Sequence, residues 1–194
     1  MPPYLTLEPA PEEIRTERLL LRPFRKGDGP ALLEALDESR VELDPWFAFR
    51  HTIATVDDAE DLCRQKQAEW ISRSVLAYAI FDEWGEGPYL GSVDLVKISW
   101  ERRKFEIAYY LRTGAMGKGY MSEAVLALTA MALNDLAANR VELWCDVENM
   151  SSMRVAERCG FTLEGRLRNR GVSSDGTPRD LFAYSIVPGD RSSS

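Results

Sequence analysis

The sequence predicts one mixed α/β domain, with about seven strands and about four helices, on three observations. Segments of strand composition alternate with segments of helical spacing along the whole chain. The central stretch 104–137 reads as a strand, a glycine turn and a helix in direct succession. The length of 194 residues, with 45% hydrophobic and 28% charged side chains, suits one well-packed domain and is short for two.

The elements follow in order. Residues 1–13 hold four prolines and read as an irregular lead-in; the domain spans 14–188, and the tail 189–194 (GDRSSS) reads as disordered. Glu17–Phe24 alternates as a strand, with Leu19 and Leu21 on one face and Leu20 and Arg22 on the other. Asp28 caps a first helix to about Ser39, and Asp44-Pro45-Trp46-Phe47 is a proline-broken aromatic loop. Thr55 with Asp58 three residues on forms a capping box that opens a second helix to about Ser72. Val75–Asp82 and Tyr89–Lys97 pair as a hairpin around the turn 83–88, and the polar turn Ser99–Arg103 leads into a third strand, Lys104–Leu111. After a helix at Ser122–Ala137 comes a strand, Arg140–Val147. Asn149 caps a short helix, Ser151–Arg158, which Gly160 ends as a C′ glycine. Phe161–Arg166 and Asp180–Val187 are the last strands, joined through the turn 174–178.

Composition excludes several functions. No apolar run approaches the length of a membrane span, and the N-terminus has neither the basic nor the apolar region of a signal peptide. The three cysteines, Cys63, Cys145 and Cys159, form no C-x-x-C motif and read as buried thiols of a reducing, cytoplasmic protein. A single histidine, His51, leaves little material for a histidine metal site or a Ser-His-Asp triad, so no metal is expected. The net charge of −7 disfavours non-specific nucleic-acid binding.

Gly114–Ala124 (GAMGKGYMSEA) is the stretch most suited to chemistry. A glycine turn between strand and helix gathers free backbone N–H groups at a positive helix N-terminus, an anion site best matched to phosphate. Glycines at 114, 117 and 119 reverse the spacing of the dinucleotide fingerprint, and Lys118 precedes Gly119 rather than the Ser or Thr of a P-loop. The anion is therefore expected to be bound by backbone without a metal.

About thirty residues on comes Asp146–Phe161, DVENMSSMRVAERCGF. A strand with a central Glu, G-x-x-G-x-G, a long helix, a strand, N-x-x-S, a short helix and G-F together resemble the GCN5-related N-acetyltransferases. The opening ERLLLRPF, the DPWF loop, FEIAYYL and GFTLEG resemble the branch of RimJ/RimL-like ribosomal-protein N-terminal acetyltransferases. The resemblance covers about Thr16 to Val187. It implies a mostly antiparallel sheet with one splayed parallel pair, Lys104–Leu111 and Arg140–Val147, and acetyl-CoA bound where they part. The pyrophosphate would sit on the amides of Gly117, Lys118, Gly119 and Tyr120, with further cofactor contacts from Tyr110, Leu111, Arg112, Met116, Met121, Ser122, Asn149 and Ser152. The pantetheine arm would add to the open backbone edge of 109–111. The family motif begins with Gln or Arg where this chain has Gly114, and Arg112 is the candidate replacement counter-charge.

An α-amine, with a pKa of about 7.7–8.0, is substantially neutral near pH 7–8 and needs only a weak base, unlike a lysine at about 10.4. Glu106 is the candidate base, acting directly or through water, and Ser152 the candidate acid for the departing thiolate. Tyr109, Tyr110, Tyr120 and Tyr184 are alternative donors, and a backbone N–H near Leu111 would polarise the carbonyl. A later glutamate proposed as base in RimL-like enzymes falls at Gly171 here and is absent. Trp46 and Phe47 would wall the acceptor pocket, and Asp94 would help hold a cationic amine. The leading function is acetyl transfer by direct attack of a protein or peptide α-amine. A small amine such as a polyamine, an amino acid or an aminoglycoside, and a non-catalytic acyl-CoA sensor, are the alternatives. Monomer and homodimer are both left open.

Overall fold

A computed structural model describes residues 10–46, 53–173 and 176–190. Strands β1 (Ile14–Arg15) and β2 (Leu19–Pro23) lead to helices α1 (Gly29–Leu43) and α2 (Val56–Ile71). Then come β3 (Leu76–Asp82), β4 (Tyr89–Ser99), β5 (Lys104–Leu111), α3 (Tyr120–Asn134), β6 (Arg140–Asp146), α4 (Met150–Arg158), β7 (Thr162–Val172) and β8 (Pro178–Ile186). The strands form one eight-stranded sheet in the order β1-β2-β3-β4-β5-β6-β8-β7. All neighbours are antiparallel except β5 and β6. The sheet holds one strand beyond the seven segments read from the sequence: β1 is two residues long and has no periodicity to read.

Alternation along each strand builds two cores. Leu19, Leu21, Phe105, Ile107 and Leu111 join the larger core with Met121, Val125 and Leu128 of α3 and Ala156 of α4. Leu20, Ala77, Ala79 and Phe81 face the other way, against Leu32, Leu36 and Ala59 of α1 and α2. Each fully buried leucine or phenylalanine contributes roughly 1.5–3 kcal/mol by leaving water. Glu106, Ala108 and Tyr110 alternate with the larger core's residues and so point to the α1–α2 face of the sheet.

Several boundaries move for tertiary reasons. Helix α1 runs past Ser39 because that buried hydroxyl accepts from the Thr113 backbone N–H at 2.9 Å rather than stopping the helix. Helix α3 starts at Tyr120 and ends at Asn134, two residues earlier and three earlier than expected. The Thr55–Asp58 capping box and the Asn149 cap both form. Asp28 occupies the cap position without capping: its carboxylate is held by Arg22 at 2.7 and 2.8 Å. Strand β7 continues to Val172 because its turn-like residues are absorbed as bulges.

A charged network ties the far half of the sheet. Arg140 donates to Glu142 at 2.7 Å and to Glu164, which also accepts from Ser185 at 2.6 Å. The Arg140 guanidinium, then the Ser185 hydroxyl, hold the Glu164 carboxyl down at about 2. Its folded value lies below the unfolded one of about 4.3, so the stabilisation is complete above that pH and is lost as pH falls towards about 2. Between pH 5 and 2 the melting temperature is expected to fall less steeply in Glu164→Gln than in the parent protein. Equal slopes in thermal melts would count against this.

Candidate active site

The site is a split between two neighbouring strands. Parallel pairing of β5 with β6 ends at Ile107 and Leu143. Beyond it, β5 stays with β4 up to the Gly91–Leu111 pair, while Trp144, Cys145 and Asp146 of β6 stay with β8. Arg112 N–H donates to Leu90 O of β4 at 2.7 Å, so alternation turns the Leu111 N–H to the opposite, open edge. Gly91 makes the β4–β5 contact feasible: a Cβ there would stand 2.2 Å from Tyr110 O.

At the end of β5 the chain enters the glycine turn. Gly117 and Gly119 have φ of +76° and +85°, in the left-handed region, and Gly119 is the N-cap of α3. No atom outside the turn lies within 4 Å of a Cβ built on Gly117. The turn ahead of α3 therefore borders open space that a side chain at 117 would occupy. Met116, Gly117 and Lys118 are exposed, whereas the Met121 and Ser122 side chains are buried in the core, leaving only their amides to serve a ligand.

The turn is braced from both sides by residues that local patterns do not reveal. Arg112 is directed at α1, where Glu34 and Glu38 accept from it at 2.8 Å, rather than towards the turn. Glu38 also accepts from Gly114 N–H at 2.6 Å, and a Cβ at 114 would stand 2.8 Å from that carboxylate. On the other side Arg18 donates to Lys118 O at 3.0 Å, lies 4.5 Å from the Tyr120 ring centroid, and pairs with Glu123 at 2.6 Å. Arg18 brings a guanidinium to the glycine turn from 100 residues away in sequence. Arg18→Ala is expected to weaken binding of a phosphorylated ligand severalfold while leaving the fold intact, which titration calorimetry and a thermal melt would separate.

The two faces of the split carry different chemistry. On the α3–α4 face, Tyr109 Oη and Ser152 Oγ are 2.8 Å apart, bridging β5 to the first turn of α4. Asn149 Oδ1 accepts from Ser152 N–H at 3.0 Å and fixes that turn. Burial holds the Tyr109 phenol above its usual pKa, so it keeps its proton. The other tyrosines are engaged elsewhere: Tyr110 with Tyr89, Tyr120 with Asp82 at 2.9 Å, and Tyr184 inside the core. Burial also pushes the Cys145 thiol up to about 11, away from the thiolate a nucleophile needs.

On the α1–α2 face, Glu106 is 14% exposed and its carboxylate oxygens accept from Lys97 at 2.8 and 3.0 Å. Asp94 is buried between Ala77 on β3 and Ala108 on β5. Lys66 of α2 donates to one of its oxygens at 3.1 Å; the other has no hydrogen-bond partner among the described residues. Burial raises the Asp94 carboxyl, with Lys66 opposing. Trp46 follows α1, its N–H on Leu43 O at 2.9 Å, and Phe47 lies outside the described residues. Among the described residues no cluster of His, Cys, Asp and Glu is arranged to hold a metal ion. No helix among them is long and apolar enough to cross a membrane.

The split parallel pair ends in a glycine turn at a helix N-terminus, with a carboxylate on one face and a hydroxyl pair on the other, an arrangement suited to acyl transfer. The profile of the acetyltransferase (GNAT) domain matches residues 18–162, and the chain belongs to that family. It is similar to the Bacillus subtilis protein YdaF, whose name offers it as a candidate ribosomal N-acetyltransferase. The two are 27% identical over 175 residues, covering 88% of this chain and 92% of that one. RimL, a ribosomal L7/L12 alpha-N-protein acetyltransferase solved with coenzyme A, shares the fold with a TM-score of 0.83. It is 22% identical over 91% of this chain and 98% of its own. The microcin C7 self-immunity acetyltransferase MccE, solved with acetyl-CoA and AMP, gives a TM-score of 0.84 at 22% identity, over 93% and 99%. The chain is thus an N-acetyltransferase of the GNAT type, close to the ribosomal-protein acetyltransferases.

Proposed function

We propose that this enzyme uses acetyl-CoA to acetylate the N-terminal α-amine of a peptide or protein. The observation that carries the reading is the split between β5 and β6, with Glu106 on one face and the Tyr109–Ser152 pair on the other. The residues present fit the cofactor, since the space beside Gly117 and Gly119 at the start of α3 is open, with only the Arg18 guanidinium near a Cβ at Gly119, at 3.5 Å. Gly117, Lys118, Gly119 and Tyr120 would hold its pyrophosphate by their amides, and the open edge of 109–111 its pantetheine arm. Bound there, acetyl-CoA supplies an activated thioester.

The chain's own groups then divide the work. Glu106 takes the proton that the attacking amine must lose, directly or through water. The Leu111 N–H, on the open edge, would polarise the acyl carbonyl. Tyr109 and Ser152 form a relay that returns a proton to the departing sulfur. Asp94, paired with Lys66, would help hold the amine through its second carboxylate oxygen, which has no hydrogen-bond partner among the described residues.

The test is thiol release from acetyl-CoA with mass spectrometry of the acceptors. The panel holds Ser-, Ala- and Met-initiated peptides, the same peptides blocked at the α-amine, polyamines and an aminoglycoside. Acetylation of unblocked peptides alone is expected. Modification of small amines alone would overturn the N-terminal reading. For a peptide acceptor, kcat/KM should rise with pH through about 7.7–8.0, where the α-amine loses its proton.

A further inference from the structure

Strand β7 carries Arg166, Arg168 and Arg170 within five residues, in a chain of net charge −7. A regular strand would point all three to one face. A bulge prevents this: Leu167 pairs with Leu181 and Gly171 with Arg179, so residues 168–170 stand opposite Asp180 alone. Asn169 enters the left-handed region with φ of +52°, and its N–H donates to Asp180 at 2.9 Å. Arg166 pairs with that same carboxylate at 2.7 Å. Arg170 is turned over the Trp144 ring, 4.8 Å from its centroid. Among the described residues exposed Arg168 makes no ion pair. The bulge surrounds an open hollow of about 750 Å³ lined by Arg166, Leu167, Arg168, Asn169, Arg170 and Asp180. Three guanidinium groups against one carboxylate leave it with two positive charges.

The position of Trp144 gives this hollow its meaning. Glu142 is the register partner of Glu106, and Trp144 lies two residues on, so it shares the α1–α2 face. It is the first side chain of β6 on that face beyond the last parallel pair. Arg170 therefore stands at the mouth of the split on the side where Glu106 and Asp94 would meet the acceptor amine. Bulges beside active sites commonly re-aim a side chain in this way. One wall of the entrance carries the Glu106 and Asp94 carboxylates, each paired with a lysine, while the other is basic and suits carboxylates attached further along the acceptor. A polyamine offers the second wall only repulsion.

Resting on the N-terminal reading above, we propose that the β7 bulge selects acceptors bearing acidic side chains shortly after the N-terminal amine. The experiment compares peptides that share their first two residues and carry Asp/Glu, Asn/Gln or Lys at positions three to six. The enzymes are the parent, Arg168→Ala, and the double variants Arg168→Ala/Arg170→Ala and Arg168→Glu/Arg170→Glu, each checked by thermal melt. The parent is expected to favour acidic over neutral peptides about fivefold or more in kcat/KM, through KM, with the preference shrinking in salt. Arg168→Ala, at an exposed site that leaves the fold undisturbed, should reduce the preference, the double alanine abolish it and the double glutamate shift it to the lysine peptides. Equal use of acidic and neutral peptides by the parent at low salt would overturn the proposal and leave the N-terminal reading standing. Acetylation of polyamines with no peptide modified would remove that reading as well.

Discussion

Glu106→Gln is expected to lower kcat by roughly a hundredfold, the lower end of what a positioned general base contributes. The substitution keeps the size of the side chain and a hydrogen bond with Lys97, so melting temperature and cofactor affinity should stay near the parent values. The loss should be greatest at low pH, where most α-amine is protonated, and shrink as pH passes about 8 and the amine deprotonates itself. A kcat within threefold of the parent at pH 7 would remove Glu106 from the proton path and leave it as a partner of Lys97. Lys97→Met is the informative companion. It frees the carboxylate without touching it, and a raised KM for the amine with unchanged kcat would assign the lysine to acceptor positioning.

The second large effect is expected on the opposite face. Tyr109→Phe and Ser152→Ala should each reduce kcat about tenfold, less than a base deletion, because a thiolate of pKa near 8.5 is already a fair leaving group. The two hydroxyls are 2.8 Å apart and form one hydrogen-bonded unit, so the double variant should be little slower than either single one. Multiplicative losses would mean two independent roles and would break the relay. Cofactor affinity, read by calorimetry, separates a proton-transfer defect from a displaced α4. If Ser152→Ala weakens binding and leaves kcat alone, the serine is a structural part of the helix start.

Much of the fold was legible because the signals are local. The capping box at Thr55–Asp58, the Asn149 cap and the alternation of Leu19, Leu20 and Leu21 all depend on neighbours within one turn or one strand. The glycine turn before α3 was legible for the same reason, since glycines at 117 and 119 are needed where φ is positive. What escaped was the company these residues keep. Nothing near Glu106 in sequence announces Lys97, which reaches it across the β4–β5 pair. Arg112, the expected counter-charge, turns instead to two carboxylates of α1, while Arg18 arrives at the turn from β2's approach.

By itself the sequence determined the order of strands and helices, the turn that gathers amides, and the presence of Glu106, Tyr109 and Ser152 on elements that flank it. Hydrophobic period and glycine backbone freedom are written residue by residue, so no partner is needed to read them. Tertiary structure alone decided where the parallel pair parts, after Ile107 and Leu143, and that Glu106 and Ser152 lie on opposite faces of that split. It also decided that a bulge turns Arg170 onto Trp144. Those outcomes depend on which strand each backbone edge is bonded to, a competition between distant segments that only the assembled sheet resolves.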